Sequence, residues 1–141
     1  MPPGAKIHWH VFLVHFPISF FLGSFTFMSL HLLTENDCFS MAAYVSLITG
    51  AVFLLPTTLT GWNTWKRRYR GVKGKIFLNK IRISFGMISL SIILVVYQTF
   101  FPFTILGVWH RLGHFLYFTG VTLLMLGAAA EGYYGGRLHH R

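Results

Sequence analysis

The sequence has few acidic residues and almost no cysteine. Only three of its 141 residues are Asp or Glu, and charged residues of both signs make up 11% of the chain, against about 25% in soluble domains. The single cysteine, Cys38, excludes an internal disulfide and a cysteine-based metal cluster. The chain also lacks a nucleophile elbow and a phosphate-binding glycine loop, so we expect no catalytic activity of its own.

Apolar residues dominate instead, at 54% of the chain. Four apolar runs approach or exceed the roughly 20 residues that a membrane-crossing helix needs, at about residues 11–33, 41–62, 81–101 and 112–134. The first three have no polar face wide enough for a soluble helix. We therefore predict an all-α integral membrane protein with one transmembrane domain, residues 1–141. Pro17 means that the first helix begins either near Pro17 or near Trp9 with a kink. The chain's opening residues show no cleavage site, so the first span is expected to be retained.

The basic residues are concentrated in one segment. Eight of the twelve Lys and Arg residues lie between Lys66 and Arg82, and we predict a basic loop at residues 63–80. Basic loops stay on the cytoplasmic side of a membrane. Four spans with this loop inside predict an up-down-up-down four-helix bundle with both termini in the cytoplasm. The Lys and Arg residues that give the chain its net charge of +9 are then expected to contact anionic lipid head groups. No nucleic-acid partner is expected.

Small and polar residues at helical spacing predict which faces pack inside the bundle, since membrane helices associate through such residues. The predicted stripes are His15, Ser19, Gly23 and Thr26 on the first span, Ser46, Gly50, Thr57 and Gly61 on the second, Arg82, Gly86 and Ser89 on the third, and Gly113, Gly120, Gly127 and Glu131 on the fourth.

Glu131 is the only acidic residue inside a predicted span. It lies at the depth of Asn79 and Arg82, so an ion pair with Arg82 is the structural interpretation. A proton relay or ligand site is the functional alternative, because carboxylates within a membrane are often functional. With His10, these residues form the polar set expected inside the membrane.

Eight histidines lie at two levels of the predicted bundle. Histidines on facing helices at one level commonly hold b-type haem, so His15, His31, His110 and His114 are candidate ligands. Antiparallel packing puts His15 too far from His114, whereas His31 with His110 or His114 is allowed. The alternative is that histidines near span ends anchor the helices at head-group level. For His15, which falls on a small-residue stripe, the two interpretations stay equally open.

The stretch from His10 to Ser19, HVFLVHFPIS, resembles the opening signature of small bacterial four-helix membrane proteins grouped as domain of unknown function 2231. The resemblance continues through Gly61, Trp65, Asn79, Gly132 and Gly135–Gly136. It implies a multi-pass protein of the bacterial inner membrane. The chain differs at Val11, Thr64 and Lys75, where that family tends to have proline, an acid and histidine. The resemblance also implies that haem-binding members carry histidine on the third or fourth span, where this chain has Glu131.

Three functional hypotheses remain from the sequence. The leading one is a small integral-membrane subunit that anchors or supports a respiratory or electron-transfer complex, with other membrane or peripheral subunits as partners. The second is a b-type cytochrome, with haem b as cofactor, that passes electrons between quinone and a partner. A small transporter or channel is the third, and it is disfavoured because one embedded acid provides little polar pathway.

Overall fold

The computed structural model describes residues 9–71, 73–101 and 108–139. This part of the chain forms four α-helices: α1 (Trp9–Thr34), α2 (Asp37–Arg68), α3 (Lys75–Phe100) and α4 (Val108–His139). Each contains a segment of at least 23 residues that is long and apolar enough to cross a membrane. The prediction of an all-α protein is confirmed, and the four apolar helices suggest a multi-pass membrane protein.

The basic segment is mostly helical, so the predicted loop at residues 63–80 is wrong in its extent. Helix α2 continues to Arg68 and α3 already begins at Lys75. Lys and Arg are good helix formers, and these ends need not lie within the hydrocarbon core. Helix α2 ends where Arg70 and Gly71 adopt left-handed conformations, with φ of 48° and 69°, as is common at helix C-termini.

The connection between α1 and α2 is short. Glu35 has a left-handed φ of 54° and Asn36 caps α2, its side chain accepting a hydrogen bond from the Cys38 amide at 2.9 Å. Asp37 in the first turn complements the helix dipole. This connection brings α2 back along α1, the pair of helices in most extensive contact.

Pro17 lies inside α1, which begins at Trp9, so the second of the two interpretations of this proline gives the correct start. A proline at position 17 cannot donate a hydrogen bond to the carbonyl of Leu13, four residues earlier. The Thr57 hydroxyl of α2 lies 3.2 Å from this carbonyl oxygen, as well as 2.7 Å from that of Phe53. A side chain from the neighbouring helix therefore partners the carbonyl that the proline leaves without its helical donor.

Glycines on α2 and α4 receive large side chains from α1 and α3. A Cβ atom at Gly50 would lie 2.8 Å from the Phe21 ring, and one at Gly120 would lie 2.7 Å from Leu94. The same relation holds for Gly61 with His10, Gly113 with Tyr97, and Gly127 with Met87. The predicted stripes on α2 and α4 are therefore confirmed as helix–helix contact faces.

The predicted stripe on α3 is wrong, and the one on α1 is wrong except at Gly23, where an added Cβ atom would lie 3.7 Å from Ser46 Oγ of α2. Arg82, Gly86 and Ser89 are exposed on α3, as are His15, Ser19 and Thr26 on α1. The buried residues are Pro17, Phe21, Ser24, Met28 and His31 on α1, and Ser84, Met87, Ser91 and Leu94 on α3. The glycines of α2 and α4 leave space at the helix–helix contacts, so the facing sides of α1 and α3 can carry bulky residues.

Contacts between helix ends fix the arrangement of the four helices. The beginning of α1 meets the end of α2 at His10 and Thr60, and the beginning of α2 meets the end of α3 at Tyr44 and Thr99. The beginning of α3 meets the end of α4 at Ser84 and Glu131, and the end of α1 meets the beginning of α4 at His31 and His114. These contacts fit a four-helix bundle with polar groups at both ends.

Candidate functional site

Glu131 is buried near the end of α4, with 6% of its surface exposed. The hydroxyl of Ser84, itself buried on α3, donates a hydrogen bond to Glu131 Oε1. Ser84 precedes Met87 by three residues, so it continues the face of α3 that packs on α4. We call His10, Thr60, Lys80, Ser84 and Glu131 the charged cluster.

Lys80 is the cation whose charge acts on Glu131. The predicted ion pair between Glu131 and Arg82 is wrong. The charges of Lys80 and Glu131 interact, whereas Arg82 is exposed. Lys80 precedes Ser84 by four residues and shares its face, but Arg82 precedes it by two and lies about 200° around the helix. Asn79, also expected inside the bundle, is exposed as well.

His10 lies on the outer side of the same cluster, against α2. Its Nδ1 atom is 3.2 Å from Thr60 Oγ1. The Thr60 hydroxyl has one proton, which is directed at the backbone carbonyls of Pro56 and Thr57, so His10 Nδ1–H is the donor in this contact. Burial, and then the positive charge of Lys80, lower the pKa of His10 below its ordinary value. His10 is therefore neutral at neutral pH.

The opposite end of the bundle contains two imidazoles in contact, which we call the histidine pair. The ring centroids of His31 and His114 are 5.4 Å apart and the ring planes are 86° from parallel. His31 Nδ1 is 2.9 Å from the carbonyl oxygen of Asn36. A carbonyl oxygen only accepts, so Nδ1 carries a proton and donates this hydrogen bond.

Tyrosines surround this end of the bundle. The Tyr44 hydroxyl lies 2.6 Å from Thr99 Oγ1, and the side chain of Tyr117 is buried one turn below His114. Gln98 contributes a buried Oε1 atom on α3. Tyr44, Thr99, Tyr117 and Gln98 are therefore neutral hydrogen-bonding groups at the same end of the bundle as the histidine pair.

Of the four histidines predicted as ligands, the structure brings His31 and His114 together. His15 is exposed and precedes His31 by 16 positions, roughly 24 Å along α1, so its predicted direction into the bundle is wrong. The side chain of His110 lies outside the residues whose side chains the structure describes. Within the described residues, no three His, Cys, Asp or Glu side chains group to hold a metal ion.

An apolar core separates the charged cluster from the histidine pair. Its fully buried members include Phe21, Leu47, Val121 and Leu124. The hydroxyls buried at this level donate to helix carbonyls, as Ser24 does to Ala43 and Ser91 to Ile88. Within the described residues, this core interrupts any polar path between the two ends.

Sequence reasoning missed Lys80, Ser84 and Thr60. A signal existed for the first two, because Lys80, Ser84, Met87 and Ser91 follow helical spacing on one face of α3. The contact of Thr60 with His10 depends on the register between α1 and α2, which no local pattern provides.

Comparison of the chain with family profiles, with curated proteins and with solved structures found no match. The resemblance to domain of unknown function 2231 therefore stays a prediction.

Proposed function

We propose that this protein is a small integral-membrane subunit that anchors or supports a larger electron-transfer complex. The observation that carries the proposal is the apolar core between the two polar ends, in which the buried hydroxyls of Ser24 and Ser91 donate to helix carbonyls. A protein with such a core provides no transport path through the described bundle. Its outer surface is apolar on all four helices, with residues such as Phe12, Leu59, Phe85 and Leu123 more than half exposed. This surface suits contact with lipid and with the spans of neighbouring subunits.

Assembly is tested by blue native electrophoresis of membranes solubilised in mild detergent. We expect the chain to migrate with a complex several times its own mass of 16.1 kDa, and deletion of its gene to reduce the amount or the activity of that complex. Migration as a monomer, with unchanged oxidoreductase activity in the deletion strain, would contradict the proposal.

The proposed topology is up-down-up-down in a bacterial inner membrane, with both termini and the connection between α2 and α3 in the cytoplasm. The basic residues at that end support it. Cys38 is exposed at the opposite end of α2 and serves as a natural probe. A membrane-impermeant maleimide should label Cys38 in spheroplasts. In a Cys38→Ser background, Lys73→Cys should be labelled only after the membrane is broken. Labelling in the reverse order would refute this orientation.

A second candidate function is a b-type cytochrome, and the histidine pair is the observation that favours it. The two rings come from different helices at one level, and the Asn36 carbonyl orients His31 through Nδ1, as second-shell carbonyls do for ligating histidines. The two imidazoles would hold the haem iron through ring nitrogens, and their ring centroids lie 5.4 Å apart. His31 and His114 fit the ligand chemistry. Haem held there would supply one-electron redox chemistry.

A reduced-minus-oxidised visible spectrum of the purified protein distinguishes the two candidates. The cytochrome hypothesis requires a sharp alpha band that is lost in His31→Ala and in His114→Ala but retained in His15→Ala, whose side chain is exposed. A featureless spectrum of the wild-type protein would exclude the cytochrome hypothesis and favour the supporting subunit.

A further inference from the structure

The titratable groups of the charged cluster lie at successive depths from one end of the bundle. Glu131 is six residues before the exposed Arg137 of α4, about 9 Å along the helix. Lys80 is one turn nearer the end than Ser84, and its Nζ atom lies beside Gly135. His10 is further out on α1, where it faces Gly61 and Thr60 of α2.

Glu131 holds its carboxyl group inside the bundle. Among the described residues, the Ser84 hydroxyl donates a hydrogen bond to it, and the positive charge of Lys80 acts on it. A carboxylate with one hydroxyl partner inside a membrane protein is costly to keep ionised. The protonated acid keeps a hydrogen bond with Ser84, because a hydroxyl both donates and accepts.

The groups that act directly on Glu131 come from α3, which provides the hydroxyl of Ser84 and the charge of Lys80. His10 of α1 interacts in turn with Lys80, and Thr60 of α2 contacts His10. The other charges of α3 and α4 near this level, Arg82 and Arg137, are exposed. The positive charge of Lys80 therefore offsets part of the free-energy cost of burying an ionised carboxylate.

We propose that Glu131 is a reversible proton-binding site, which exchanges its proton with water at the basic end of the bundle, past Lys80 and His10. A hydronium ion transfers its proton to a Glu131 carboxylate oxygen, one O–H bond forms as another breaks, and a water molecule is released. The apolar core beneath Glu131 keeps this exchange on one side. The site functions in the protein alone, so it does not depend on the proposed complex.

The test is infrared titration of the full-length protein in phosphatidylcholine vesicles, following the carbonyl stretch of a protonated carboxylic acid. We expect a band that disappears reversibly as the pH is raised, because the carbonyl stretch of the protonated acid is lost when the group ionises. Glu131→Gln, which preserves shape and the ability to bond Ser84, should abolish the band. The double variant Glu35→Gln, Asp37→Asn removes the other two acidic side chains of the chain and should retain it.

Two further variants keep the test decisive if Glu131→Gln assembles poorly. Ser84→Ala should raise the frequency of the band, since the carbonyl loses its hydrogen bond. Lys80→Met should change the pH of half-titration by more than Arg82→Met, which removes an equal charge from the exposed side of the same helix. The absence of a titrating band in the wild-type protein, its persistence in Glu131→Gln, or equal shifts in the two cation variants would overturn the proposal.

Discussion

The two halves of the bundle pack by the same geometry but with different chemistry. In both the α1–α2 pair and the α3–α4 pair, one helix supplies glycines and the other fills them with large side chains. Between α1 and α2, the filling groups include the rigid Phe21 ring, and Ser24 and Thr57 donate hydrogen bonds to backbone carbonyls. Between α3 and α4, the flexible Leu94 and Met87 lie against two glycines and the Tyr97 ring against a third, and the polar contact ends on a carboxyl group.

This difference assigns separate roles to the two pairs. A rigid ring in a glycine pocket and neutral hydroxyl-to-backbone hydrogen bonds hold the middle of α1 against α2. The α3–α4 contact includes a titratable group, and Met87 and Leu94 can adapt when that group changes. We therefore expect the α1–α2 pair to be the stable frame and the α3–α4 pair to be the responsive one.

The largest expected effect distinguishes a rigid from a flexible filling group. Gly50→Ala places a Cβ atom 2.8 Å and 2.9 Å from two Phe21 ring atoms and 3.2 Å from Phe20 Cβ, so the helices must separate, and we expect a loss of about 3 kcal/mol in the free energy of unfolding. Gly127→Ala meets Met87 Cγ and Sδ at 3.0 Å and should cost about 1 kcal/mol, because methionine adjusts. Reversible unfolding in mixed detergent micelles measures both, and equal losses would contradict the contrast.

The next effect compares a hydroxyl bonded to a carboxyl group with one bonded to a backbone carbonyl. Ser84→Ala removes the hydrogen bond to Glu131, and at a pH high enough to ionise the carboxyl group such a bond to a charged group contributes about 2 kcal/mol. Ser24→Ala removes the bond to the Ala43 carbonyl at 2.9 Å, of a kind that averages about 0.6 kcal/mol in membrane proteins. The same unfolding assay applies. A larger loss in the free energy of unfolding for Ser24→Ala than for Ser84→Ala would contradict the proposed difference between the two contacts.

The glycine stripes also show how much of this fold the sequence could predict. Helix number and the inward faces of α2 and α4 follow from apolar length and from glycine spacing, as Gly113, Gly120 and Gly127 demonstrate. The inward faces of α1 and α3 did not follow, because large residues such as Phe21 and Leu94 occupy the interior only where a partner glycine makes room. A single helix does not contain that information.

The candidate sites divide in the same way. The level of His31 and His114 could be predicted, since it depends only on chain length and antiparallel packing. The partner of Glu131 could not be predicted by depth alone, because Lys80 and Arg82 lie at nearly one depth and differ in the direction they face around α3.

A glycine outside the interfaces provides the control for the glycine argument. Gly86 faces open space, with no atom within 4 Å of an added Cβ. Gly86→Ala should leave the bundle unchanged or stabilise it by no more than about 1 kcal/mol, the difference in helix propensity. A loss like that of Gly50→Ala would mean that α3 packs through the face on which Gly86 lies.

The smallest effect is a pH dependence at the α1–α2 contact, from His10. Burial and the charge of Lys80 lower the pKa of His10 in the folded protein, so the unfolded chain binds the proton more readily. The contribution of neutral His10 to the free energy of unfolding is complete above the ordinary histidine pKa. It is lost as the pH falls toward the lower pKa of His10 in the folded protein. The wild-type melting temperature should therefore drop from about pH 7.5 to pH 5.5 by more than that of His10→Gln. His15→Gln, on the exposed side of α1, should behave as wild type. If His10→Gln lost as much stability on acidification as the wild type, the acid-sensitive group would lie elsewhere in the protein.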